Sequence, residues 1–184
     1  PQHRQPVYRA RRLDILRRFA RHMKLFDPET EVPPEGILGP SQYRRRAPHI
    51  YSDEEIAALM KTAGHLTPTN GLRPHTYVTL FGLLASSGLR ISEALSLLRE
   101  DVDIGSGTIT VRESKFHKSR IVPVHPTTVE ALKSYIGNRN EKYPIPKTKA
   151  FFVSQRGTSL RYRSVFKTFR RIARGLGRNG EAAQ

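Results

Sequence analysis

Residues 108–125 read TITVRESKFHKSRIVPVH, and the period of this stretch separates a mixed fold from an all-helical one. Thr108, Ile109, Thr110 and Val111 are β-branched, the polar run from Glu113 to Arg120 interrupts them, and Ile121, Val122, Pro123 and Val124 resume the apolar pattern. β-branched side chains suit a pleated surface, so the stretch predicts two strands joined by a basic loop.

Helical spacing prevails on both sides. Ser52 and Glu55 form a capping-box pattern ahead of Ile56, Leu59, Met60 and Ala63, with Gly64 as a stop. A more apolar helix is expected over 76–87, closed by Gly88, and a short one over 91–98. After the hairpin, 127–136 return to helical spacing, 151–153 predict a short strand, and Val165, Phe169, Ile172 and Leu176 mark a helix that carries Arg163, Lys167, Arg170, Arg171 and Arg174. The expected class is α+β: a mostly helical body with a small antiparallel hairpin at its edge.

Upstream, residues 9–26 place Leu16, Phe19, Ala20 and Met23 on one helical face among arginines. This basic helix is too short to bury a core, so residues 1–26 are expected to be the last helix of a domain whose earlier part is missing. Residues 27–48 hold five prolines and two glycines without periodicity, as a linker does. A second domain is expected over 49–184.

Charge points to the partner. There are 32 Lys and Arg against 16 Asp and Glu, a net charge of +16. Residues 1–50 hold 11 basic and 5 acidic side chains, 51–110 hold 4 and 7, and 111–184 hold 17 and 4. Cationic flanks around a net-acidic middle predict a polyanionic partner, nucleic acid first. Without cysteine, and with histidines scattered off ligand spacing, no metal and no cofactor are expected. No apolar run approaches the roughly 20 residues of a membrane span, so a cytoplasmic protein without a membrane partner is expected.

The chemistry-bearing stretch begins at Ser86 with SSGLRISEALSLLREDVD. Arg90 follows a glycine turn at the start of a helix, where backbone amides and a planar guanidinium can hold two oxygens of one phosphate. Glu93 stands three residues on, placed to brace Arg90 or a neighbouring cation. An ordinary helix start with a surface ion pair fits the same residues. In the hairpin, Lys115, His117, Lys118 and Arg120 form a basic finger; a lysine there can give a proton to a departing alkoxide, and a solvated turn is the plainer alternative.

Gly88-Leu89-Arg90-Ile91-Ser92-Glu93 followed by Lys118-Ser119-Arg120-Ile121-Val122-Pro123 resembles the tyrosine recombinase, or phage integrase, family. The likeness extends over about 49–177, with 9–26 similar to the end of that family's core-binding domain. It implies that Arg90 clamps the scissile phosphate, that Lys115 protonates the leaving 5′ oxygen, and that Glu93 supports them. It also implies double-stranded DNA as partner, and a parent protein that oligomerises on DNA while this stretch alone stays monomeric. Arg44, Arg45, Arg46, Arg161, Arg163, His117, Lys118 and Arg120 are the candidate DNA contacts. The family's His-x-x-Arg pair and nucleophilic Tyr find no counterpart before Gln184, since Tyr135, Tyr143 and Tyr162 lie too early. The chain alone is therefore expected to bind DNA without recombining it. Two other readings stand beside this one: a noncatalytic DNA-binding protein derived from a recombinase, and a basic RNA-associated protein, which the lack of aromatic stacking motifs disfavours.

Overall fold

The computed structural model describes residues 6–39, 48–114 and 118–176. The chain divides into two compact units, Pro1–Ile50 and Tyr51–Gln184.

The first unit holds one helix, α1 (Pro6–Met23). Arg17 is buried at 7% exposure and donates to the carbonyls of Pro33 (2.9 Å) and Pro34 (2.7 Å), with Asp14 as its ion-pair partner. Arg21 pairs with Glu35 at 2.7 Å. The described part of the expected linker is thus tied back along α1, because prolines leave carbonyls free that a guanidinium can collect. Leu16 and Phe19, on the expected apolar face of the helix, stand 57% and 61% exposed, in keeping with a helix too short to bury a core.

In the second unit, α2 (Asp53–Gly64) carries the full capping box: Ser52 Oγ accepts from Glu55 N, and Glu55 accepts from Ser52 N at 2.9 Å. Next comes α3 (Leu72–Ser87), which begins earlier than the expected 76. Pro74 falls in its first turn, where a missing N–H costs nothing. Gly71, the N-cap, has no side chain to offer, and Gln155 supplies the cap instead, its Oε1 accepting from Arg73 N at 2.9 Å. A Cβ on Gly71 would stand 2.5 Å from Gln155 Nε2. Gly71→Ala is therefore expected to push Gln155 aside and cost about 1 kcal/mol, the value of a lost N-cap. Urea midpoints of Gly71→Ala, Gln155→Ala and the double variant check this: the two losses should not add.

Gly88 ends α3 in the left-handed conformation (φ 64°), which a glycine adopts without strain. The short α4 (Ile91–Ser96) and a 3₁₀ turn (Arg99–Asp101) follow, then β1 (Val102–Asp103), β2 (Thr108–Ser114), β3 (Lys118–Pro123), α5 (Pro126–Lys142) and α6 (Tyr162–Gly175). The strands form one antiparallel sheet in the order β1-β2-β3. Ile109 pairs with Val122 and Val111 with Arg120, so Arg120 shares the inward parity of Val122, and Ile121 points away at 68% exposure. Arg112 on β2 donates to the buried Asp101 at 2.5 Å, tying the sheet to the 3₁₀ turn.

The expected strand over 151–153 is instead an extended segment with single bridges, Leu98 to Ala150 and Val153 to Ser159. Phe151, Phe152 and Val153 are each 1% exposed, so no face is left to alternate with solvent. They pack with Leu80, Leu132 and Tyr135 in the core. The amphipathic α6 closes the body; Tyr162, Phe166 and Phe169 line an apolar groove of about 370 Å³ against α2, α3 and Ile91. Among the described residues no helix is long and apolar enough to cross a membrane.

Candidate phosphate site and cationic cleft

Arg90 is the N-cap residue of α4, placed there because Gly88 turns the chain and buried Leu89 anchors it. Its side chain is 62% exposed, whereas that of Glu93 is only 7% exposed. Both carboxylate oxygens of Glu93 are fully engaged. Oε1 accepts from Arg90 Nη1 (2.9 Å) and Arg120 Nη1 (3.0 Å); Oε2 accepts from Arg90 N (2.9 Å) and Arg120 Nη2 (2.8 Å). One buried anion thus joins α4 to β3 and fixes two guanidiniums at the surface. α4 is only six residues long and the amide of its N-cap residue, Arg90, is spent on Glu93, so the site's positive charge is assigned to the arginine side chains.

The two-pronged Arg120 bond, with the Arg90 amide and side chain, holds Glu93 down to a pKa of about 2 from 4.5, against the opposing effect of burial. Stability from the ionised carboxylate is therefore fully present above pH 4.5 and lost as pH falls through about 2. The stability difference between the chain and Glu93→Gln, followed by urea midpoints, is expected to hold from neutral pH to 4.5 and shrink steadily toward pH 2.

The other candidates fall in several places. Lys115, His117, Arg44, Arg45 and Arg46 lie outside the described residues, and Lys118 is described only as the backbone start of β3. Arg161 caps α6 and Arg163 lies in its first turn, both exposed. They line a cleft of about 1190 Å³ with Arg73, Arg156, Lys167 and Arg171, and no acidic side chain is among its described lining residues. Sequence reading missed Arg73 and Arg156, which reach the cleft from the start of α3 and from the turn after Val153. Arg73 is fixed by Thr67 O (3.1 Å), Thr168 Oγ1 (3.3 Å) and the Tyr77 ring. His125 caps α5 by accepting from Thr127 N. Tyr135 is buried and its phenol is pushed up by desolvation, while the Tyr143 hydroxyl is bonded to Gln155 O. Among the described residues no cluster of three or more His, Cys, Asp or Glu could hold a metal.

Residues 50–183 match the model of the phage integrase family. A putative integrase/recombinase, y4rB of Sinorhizobium fredii, is 38% identical over 98% of this chain and 58% of its own length. The tyrosine recombinase XerC of Chlamydia caviae is 31% identical over 92% of this chain and 53% of its own. The crystal structure of the site-specific recombinase XerH bound to its difH substrate superposes with a TM-score of 0.58 at 25% identity, over 73% of this chain and 38% of that one. The chain spans about half the length of the curated relatives it matches. With the family model covering nearly all of the second unit and the α+β fold shared with solved recombinases, this chain belongs to the phage integrase family of tyrosine recombinases.

Proposed function

We propose that this segment is the phosphate-holding part of a recombinase catalytic domain, serving a parent protein that cuts and rejoins double-stranded DNA through a 3′-phosphotyrosyl intermediate. The observation that carries the reading is the exposed Arg90 guanidinium, held from beneath by a buried carboxylate that also holds Arg120. Such a group meets a phosphate already oriented, and its charge is most valuable when the phosphorane forms.

In this reading Arg90 clamps the scissile phosphate, Glu93 fixes its orientation, and Lys115, which falls between β2 and β3 in sequence, gives a proton to the leaving 5′ oxygen. The acid-free cleft supports a track for the DNA backbone along Arg161 and Arg163. His117, Lys118, Arg44, Arg45 and Arg46 are kept as proposed DNA contacts on their charge and sequence positions alone. DNA as partner is further supported by the likeness to the site-specific recombinase XerH, whose crystal structure is bound to its difH substrate.

The test is a chain extended to the length of its relatives and incubated with duplex DNA. A covalent protein–DNA adduct supports the enzyme, and an extended chain that binds duplex without any adduct leaves a noncatalytic DNA-binding protein. Stronger binding to RNA than to duplex DNA in competition would remove both.

A further inference from the structure

We infer that Arg120 is a positioning residue that governs how much of the Arg90 charge reaches a bound phosphate, acting through Glu93 without touching DNA itself. The inference rests on the reading of Arg90 as a phosphate clamp. An arginine with a glutamate three residues later on a helix would ordinarily fold onto it, fork to fork, and cancel much of its own charge. Here that fork-to-fork position is taken. Arg120 presents both Nη1 and Nη2 to the carboxylate, at 3.0 and 2.8 Å, and leaves Arg90 a single side-chain bond of 2.9 Å. The Arg90 side chain makes no other hydrogen bond among the described residues, so the rest of its guanidinium faces solvent.

The direction of Arg120 follows from strand parity. It shares the face of Val122 and opposes Val111, so its fork turns inward toward Glu93, away from the side of exposed Ile121. Two guanidiniums share one carboxylate, and the one that binds it less completely is the one more open to solvent, 62% against 41%. If Arg120 is removed, Glu93 remains buried and charged with Arg90 as its only cation among the described residues. Arg90 then closes onto it in a two-pronged pair, and the fork meant for phosphate is consumed.

Duplex binding by this 184-residue chain, titrated at several salt concentrations, tests the idea with Arg120→Met (R120M), Glu93→Gln (E93Q) and the double variant. R120M is expected to weaken binding about tenfold and to lower the salt slope by about 0.9, one phosphate contact. E93Q in the R120M background removes the charge that captured Arg90 and should recover part of the affinity and slope lost in R120M, the remainder being the brace that Glu93 gives Arg90. The Arg90 Nε–H resonance should shift with inorganic phosphate in the unsubstituted chain and the double variant, but not in R120M.

A double variant as weak as R120M would mean that Arg120 itself touches DNA, and an R120M that binds normally would mean that it does nothing for Arg90. Either result overturns the inference. Arg90→Ala with unchanged affinity and slope would instead sink the clamp reading on which it rests. Should R120M fail to fold by circular dichroism, Arg120→Gln keeps one hydrogen bond on Glu93 and carries the same pair of expectations.

Discussion

Arg90→Ala, made in a chain carried to the length of its recombinase relatives, is expected to slow covalent adduct formation with DNA by on the order of 10³-fold, with duplex affinity reduced about tenfold or less. The asymmetry follows from where the charge develops. In the ground state a backbone phosphate carries one negative charge, and Arg90 is one cation among many on a basic surface, so its loss resembles the loss of one contact. In the transition state the negative charge concentrates on the nonbridging oxygens, and a planar fork already held by Glu93 stabilises it without reorganising. Arg90→Lys keeps the charge but loses the fork and should recover only part of the rate, on the order of tenfold. If affinity and adduct formation fall by the same factor in Arg90→Ala, the arginine contributes binding alone and the clamp reading fails.

What could be read from the linear chain was what depends on neighbours in sequence. Ser52 and Glu55 cap α2 as their spacing predicts, Gly88 ends α3, and Glu93 braces Arg90 across three residues of one helix. Each is a contact closed within a turn or two. The parts that were not legible depend on partners far along the chain. α3 begins at Leu72 because Gln155, 82 residues from Arg73, caps it. α5 continues past 136 to Lys142 although its tail reads GNRNEK, because Arg139 is buried at 3% exposure between the Tyr135 and Phe151 rings and donates to Phe151 O. By sequence alone Arg120 is one more cation in a basic hairpin. The available signal was its parity with Val122 and Val124, which places it on the inward face of β3; its partner, Glu93, lies 27 residues earlier and no local rule connects them. The same limit applies to the cleft, whose lining comes from α3, from the turn after Val153 and from α6.

Phe152→Ala is expected to cause a large loss of stability, about 3–5 kcal/mol, since a fully buried aromatic ring would be deleted from a site that cannot collapse. Phe152 is 1% exposed, with the Phe151 ring 5.0 Å away edge-on and the Tyr135 ring 5.3 Å away. The surrounding backbone is pinned from several directions. Phe151 N donates to Leu97 O at 2.7 Å, Val153 N to the Tyr135 hydroxyl at 3.0 Å, and Thr76 Oγ1 to Val153 O at 3.1 Å. With these bonds in place the neighbours cannot move in to fill the vacated volume, so transfer and cavity costs add. A loss of this size is a large share of the roughly 5–15 kcal/mol that holds a typical domain together, and the variant should unfold at much lower urea than the unsubstituted chain. Ile121→Ala is the internal control: at 68% exposure on the outer face of β3 it should change stability by no more than about 0.5 kcal/mol. Two-state urea unfolding of the 184-residue chain measures both. If Phe152→Ala costs no more than Ile121→Ala, the segment after Ala150 is not part of the core.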